Sequence, residues 1–243
     1  MAVQTFAFID LETTGGSASG DRIIEIGLRV WRDGEVLDEW QTLVNPGQRI
    51  PPFIEKFTGI TTAMVKDAPF FEEVADTLRE KLAGRVFVAH NARFDYGFVK
   101  GEYRRLDQPF AAPVLCTVKL SRHLYPEHRR HSMDALIQRH DLNPGPRHRA
   151  MGDVESMMQF FLLAREEKQD VFADTLHKLL GRPSIPSHLS PDIIDSLPNT
   201  PGVYRFYGEN DVLLYVGKSV NIRQRVASHF SGDHNSSRGV QLS

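Results

Sequence analysis

The stretch Thr5-Phe-Ala-Phe-Ile-Asp-Leu-Glu-Thr-Thr-Gly15 is an apolar run interrupted by carboxylates at Asp10 and Glu12. Side chains two positions apart on an extended strand leave the same face, so both acids project together from a segment otherwise suited to burial. Like charges placed side by side away from water are costly unless something neutralises them. Divalent cations that prefer hard oxygen ligands, Mg²⁺ or Mn²⁺, suit that role. A lone pair of this kind occurs on many strands without a metal, so the reading depends on further acids.

Further acids follow. Arg85-Val-Phe-Val-Ala-His-Asn-Ala-Arg-Phe-Asp-Tyr96 reads as a short buried strand feeding a helix capped near Asn91, with Asp95 one turn inside it. His148-Arg-Ala-Met-Gly-Asp153 opens an amphipathic helix whose Val154, Met157, Met158, Phe161, Leu162 and Ala164 fall at helical spacing. Five helical residues rotate by about 140°. His148 and Asp153 therefore share a site only if His148 lies at the unwound start of that helix, free to swing toward the metals.

Three sequential strands are expected, at Thr5 to Asp10, Arg22 to Trp31 and Glu35 to Val44. The middle one alternates around Ile24, Ile26, Leu28 and Val30, and Asp33-Gly34 supplies the hairpin turn to the next. Helical segments are expected at about 53–58, 71–83, 93–106, 117–124, 132–141 and 151–168, with short strands near 86–89 and 114–117. A meander followed by strands that return through helices predicts an α/β fold, a mixed sheet covered by helices on both faces.

The segments Asp10-x-Glu12-Thr13-Thr14-Gly15, His90-Asn91-Ala92-x-Phe94-Asp95 and His148-x-Ala150-x-x-Asp153 together resemble the three signatures of the DEDD exonucleases. The histidine five residues before the last Asp places them with the DEDDh branch, similar to the proofreading epsilon subunits of bacterial DNA polymerase III. Asn45-Pro46, Ile50-Pro51 and Thr58-Gly-Ile-Thr61 extend the likeness, which covers roughly residues 4 to 170. The resemblance implies a ribonuclease H-like exonuclease fold with a five-stranded sheet. It also implies two divalent cations, Mg²⁺ or Mn²⁺, held by Asp10, Glu12, Asp95 and Asp153. Asp10 would bridge both, Glu12 and Asp153 would complete the tighter one, and Asp95 would act on the second, partly through water.

Such paired sites stand about 3.5–4 Å apart and clamp the attacking and leaving oxygens of a phosphodiester. By the same resemblance His148 is the general base, and Thr13, Thr14, Gly15, Asn91 and Phe94 contact the terminal nucleotide, which gives 3′-to-5′ polarity. An unperturbed His titrates near about 6.5, so activity is expected to rise with pH through that region. Asp95 has a simpler alternative role, since an acid in a first turn stabilises the helix dipole. His90 is expected to pack or hydrogen-bond rather than ligate, and Phe94, Tyr96 and Phe98 to belong to core and rim rather than to serve as dedicated base-stacking residues.

At 243 residues and 41% hydrophobic, the chain can bury one good core and a smaller second unit. The single Cys, Cys116, excludes intramolecular disulfides and suits a reducing compartment. Without a leader-like start or an apolar run of about 18 residues, the expectation is a cytoplasmic protein with no membrane partner. A net charge of −2 sits poorly with nucleic-acid binding until its distribution is considered. Between Arg122 and Arg149 lie six arginines and five of the ten histidines, against only Glu127, Asp134 and Asp141. That stretch reads either as a phosphate-tracking rim or as a solvated loop.

After about residue 180 the character changes. The expected organisation is a domain over 1–180, a Pro- and Ser-rich linker over 181–198 and a small α+β segment over 199–243. Gly202-Val-Tyr204 and Tyr215-Val-Gly217 flank a turn around Glu209-Asn210-Asp211, and the basic helix Asn221-Ile-Arg-Gln-Arg-Val-Ala-Ser-His-Phe follows. This resembles the start of a UvrC-like GIY-YIG nuclease domain, with Tyr204, Tyr215, Lys218 and Arg225 at its functional positions. Tyr204 would help activate water and Arg225 would stabilise phosphate charge. The family's metal-binding Glu lies farther downstream than Ser243, so the segment is expected to be incomplete and inactive.

These readings predict a two-metal 3′-to-5′ exonuclease acting on single-stranded or frayed DNA 3′ ends in proofreading or repair, with a polymerase or repair protein as partner. The alternatives are an RNA-trimming enzyme similar to ribonuclease T or oligoribonuclease, and a non-catalytic DNA- or polymerase-docking module. Stacking and phosphate contacts tolerate either sugar.

Overall fold

A computed structural model of the chain describes residues 4–180, 193–194, 196–208 and 212–230. It divides into two compact units, Met1–Leu180 and Gly181–Ser243. In the first, β1 (Phe6–Thr13), β2 (Ile23–Arg32) and β3 (Glu35–Leu43) form an antiparallel meander. β4 (Val86–Ala89) and β5 (Val114–Cys116) add in parallel, giving the order β3-β2-β1-β4-β5. The turn between β2 and β3 places Asp33 and Gly34 at φ 51° and 98°, the pair of positive values a tight hairpin demands. This is the mixed sheet that the residue pattern predicts, with the five strands of the ribonuclease H-like fold that the resemblance implies.

The helices are α1 (Pro52–Thr58), α2 (Thr62–Val65), α3 (Phe71–Leu82), α4 (Arg93–Arg105), α5 (Thr117–Leu124), α6 (Met133–His140) and α7 (Ala150–Leu180). Period-2 alternation on β1 divides the core in two. Ala7, Ile9 and Leu11 pack with Val74 and Leu78 of α3 and Val99 and Tyr103 of α4. Phe6 and Phe8 pack on the other face with Leu120 of α5 and Met157 and Phe161 of α7. The second row continues along the strand to Asp10 and Glu12, so both acids emerge on the face that α7 covers.

Three sequence expectations are corrected. β1 runs on to Thr13 rather than stopping at Asp10. Asn91 does not cap α4: it adopts φ 62°, Ala92 occupies the cap position without a side-chain bond, and the helix begins at Arg93. Asn is one of the few side chains that tolerate that left-handed backbone. The last helix extends past residue 168, because α7 breaks at Gln169 (φ 37°, ψ −107°) and resumes with Phe172, Leu176 and Leu179 on the core. The break shifts the helical phase, which hides the second half from a periodicity count.

In the second unit β6 (Gly202–Tyr207) and β7 (Leu213–Ser219) pair as an antiparallel hairpin, followed by α8 (Ile222–Phe230). Tyr204, Ile222 and Val226 form its small core with Ile193, Ile194 and Leu197. The turn at Glu209-Asn210-Asp211, residues 181–192 of the expected linker and the tail from 231 lie outside the described residues. Among the described residues no helix is long and apolar enough to cross a membrane.

Candidate active site

At the end of β1, carboxylate oxygens of Asp10, Glu12 and Asp153 all lie within 4.8 Å of one another. Asp95, at the start of α4, is 2% exposed and accepts the backbone amide of Leu11, between the two strand acids, as well as its own. Its Oδ1 is buried with no hydrogen-bond partner. Asp95 stands outside the three-acid group but close enough to act electrostatically on Asp10.

Burial, then the charges of Asp95 and Glu12, hold the Asp10 carboxyl well above the usual carboxylate range. Burial and the neighbouring Glu25 push Glu12 up to about 7, and burial takes Asp95 to about 8. A crowded acid group with an orphaned buried oxygen is short of positive charge, and hard dications are the group these ligands fit.

These shifts fix a sign. Carboxyls that titrate above their ordinary value bind more protons folded than unfolded between about pH 4 and pH 8, so stability falls as pH rises through that window. In chelator, the Tm is expected to decrease from about pH 5 to pH 8. Mn²⁺ should raise it, and by more at pH 8. Differential scanning fluorimetry checks both, and a Tm indifferent to pH and Mn²⁺ would contradict a cation cage.

α7 delivers Asp153 to β1 because its first turn lies against β2. Gly27, the cross-strand partner of Asp10, leaves room for it: a Cβ there would stand 2.7 Å from Ala150 C and Met151 N. A Cβ on Gly152 would overlap the Pro146 carbonyl oxygen. His148 precedes α7, at the unwound position expected of it, with φ 59°. Its ring lies 4.0 Å from that of Phe57. Arg147 contacts Asp153 and also pairs with Asp134 at 2.7 Å.

The loop after β1 is tied by its own hydroxyls. Thr13 Oγ1 donates to Gly15 O at 2.7 Å, and Thr14 Oγ1 accepts Arg22 N at 2.9 Å. A Cβ on Gly15 would overlap the Asp21 carboxylate. Asn91 is exposed, while Phe94 packs on Phe98 with ring centroids 4.8 Å apart. His90 Nδ1 and Thr117 Oγ1 are 2.9 Å apart, and burial pushes that imidazole down to about 4, so it packs as a neutral group.

The basic stretch is narrower than the sequence suggests. His131 bonds Ser121 at 2.8 Å, His140 lies against Tyr125 and Phe160, and Arg147 and Arg149 are held by acids. Arg122, His128, Arg129 and Arg130 remain exposed. Sequence reading also missed Glu25, which is fully buried, and the aromatic pair Phe53 and Phe57, 67% and 58% exposed. The pair had a signal: two Phe four apart on a short helix whose buried residues are Ile54 and Thr58.

In the second unit Tyr204, Tyr215 and Arg225 come together. The two rings are 5.9 Å apart and Arg225 hydrogen-bonds both phenols. Burial raises the Tyr204 phenol, whose oxygen is 2.6 Å from His229 Nε2. Gly217 faces Tyr204 across the hairpin, and a Cβ there would overlap its ring. Lys218, on the same strand as Tyr215 and paired with Val203, is exposed.

Residues 7–161 match the sequence model of the RNase T family, described as Exonuclease, and residues 200–243 match the UvrC-like GIY-YIG domain. A Mycobacterium tuberculosis protein provisionally named a bifunctional exonuclease/endonuclease is 37% identical over 251 residues, covering 98% of this chain and 39% of that protein. A Staphylococcus epidermidis protein named 3′-5′ exonuclease DinG is 33% identical over 180 residues, covering 74% and 20%. The chain thus spans about two-fifths and one-fifth of these relatives. Exonuclease X, solved with 5′ overhanging duplex DNA, superposes with a TM-score of 0.56 at 29% identity, covering 70% of this chain and 98% of that one.

Proposed function

The chain belongs to the RNase T-type exonuclease family, and from that premise we propose that it is a divalent-metal-dependent 3′-to-5′ exonuclease acting on DNA ends in proofreading or repair. The convergence of Asp10, Glu12 and Asp153 within 4.8 Å carries this reading, with Asp95 buried alongside. Asp10, Glu12 and Asp153 would hold one cation, and Asp10 with Asp95 the second. Mg²⁺ or Mn²⁺ there would supply Lewis-acid activation of the attacking water and charge for the leaving oxygen.

His148 accepts the proton of that water at an imidazole nitrogen, as a general base must. Its position just before α7 supports the assignment. The backbone of Thr13, Thr14 and Gly15 lies beside the acids and seats the terminal nucleotide. Phe57, exposed beside His148, and Phe53, exposed one turn earlier on α1, offer ring faces on which an unpaired base can stack. The relative named as a 3′-5′ exonuclease supports the polarity, and the DNA-bound exonuclease X supports DNA as substrate.

Matched 5′-labelled DNA and RNA oligonucleotides test the proposal. Stepwise shortening of DNA from its 3′ end in Mn²⁺ or Mg²⁺, faster than that of RNA, is the expected result. Faster RNA shortening would make the chain an RNA-trimming enzyme, and no shortening of either would leave a docking module.

A further inference from the structure

We propose that Glu25 is a positioning residue of the site: through Arg149 and the amide of Ala150 it fixes the turn that carries His148 and, farther along, Asp153. The inference rests on the nuclease reading. Glu25 is fully buried and is the cross-strand partner of Glu12. A carboxylate in that place needs donors, and it has them. Arg149 reaches it with Nη2 at 2.6 Å and Nε at 3.1 Å, Ala150 N donates at 2.9 Å and Gln41 Nε2 at 2.9 Å.

Two of these three partner residues are 149 and 150, between the proposed base and the last acid. A buried ion pair is poor evidence for stability, since apolar residues of similar volume often serve as well. What this one supplies is register. Glu25, Gly27, Arg29 and Trp31 form one inward row of β2, and every member meets α7 or its entry. Gly27 abuts Ala150, Arg29 pairs with Glu155, and Trp31 stands 5.9 Å from Phe161.

Glu25 sits at the end of the row nearest the acids, where the chain enters the helix through His148 at φ 59°. Left-handed backbone is uncommon outside glycine even for His, which adopts it more readily than most, and the bonds from Glu25 to the next two residues hold the chain in it. The pair also leaves Glu12 unspent. Arg149 gives its Nε and Nη2 to the two oxygens of Glu25, so Glu12 remains available to a cation.

The test compares Glu25→Gln, Arg149→Met and the double variant by steady-state kinetics on a DNA oligonucleotide, Mn²⁺ binding by electron paramagnetic resonance, and Tm. Groups that orient metal ligands and reacting side chains from behind typically matter by about 10–100-fold. Each single variant should lose that much in kcat with KM unchanged within about two-fold. Each should also bind Mn²⁺ more weakly, and the double variant should be little worse than either, as coupled residues are.

A lowered Tm with wild-type kcat and wild-type Mn²⁺ affinity would reduce Glu25 to a packing residue and overturn the proposal. If Glu25→Gln does not fold, Arg149→Met decides alone, since that side chain is 34% exposed. If the unmodified chain cleaves nothing, the nuclease reading fails, and the Mn²⁺ affinities of the variants still decide the positioning claim.

Discussion

Replacing Asp10 by alanine is expected to lower kcat by about a thousand-fold or more, the scale on which removal of one essential catalytic group acts, while the chain stays folded. Asp10 belongs to the three-acid group and is also the acid on which Asp95 bears most directly. Its removal therefore disconnects the two halves of the cage. The crowding of like charges falls at the same time, so the Tm in chelator should be equal to or above that of the parent. The rise of Tm on adding Mn²⁺ should disappear, because only a ligand bound to the folded state stabilises it. Turnover unchanged by Asp10→Ala would identify a contaminating nuclease and end the reading.

His148→Ala should cost about 10²–10⁴-fold, the usual contribution of a positioned acid or base, and should leave the Tm response to Mn²⁺ intact. That contrast with Asp10→Ala separates proton transfer from cation holding. The backbone at 148 is left-handed, with φ 59°, so alanine retains whatever the conformation costs, whereas glycine adopts it freely. His148→Gly is the cleaner probe of the imidazole. Equal losses in both variants, measured as kcat on one oligonucleotide, place the effect in the ring; full activity in the glycine variant would remove His148 from the mechanism.

The sheet order was legible because its signals are local. Alternation at Ile24, Ile26, Leu28 and Val30 marks one buried row, and Asp33-Gly34 marks the turn. The opposite row of β2 was not legible. Alternation along β2 names no partner for Glu25 or Arg29, and the burial of Glu25 rests on Gln41 of β3 together with Arg149 and Ala150, some 125 positions later. The four acids and His148 could be found from their motifs. The convergence of Asp10, Glu12 and Asp153 depends on Gly27 admitting α7, which is a fact of packing. The placing of Phe57 beside His148 was equally hidden, since α1 and the entry to α7 meet only in three dimensions.

Gly27 and Gly152 set a mechanical tolerance for the whole centre. Gly27 marks the seam where the sheet lies against the first turn of α7, and Gly152 the seam between that turn and the Pro146 carbonyl of its own entry loop, so a methyl at Gly27 acts as a wedge that pushes α7 off the sheet. Asp153 rides on that helix, so the aperture between its carboxylate and the strand acids would widen by about the distance the helix withdraws. The calibre of the cage is thus set by an atom that Gly27 lacks.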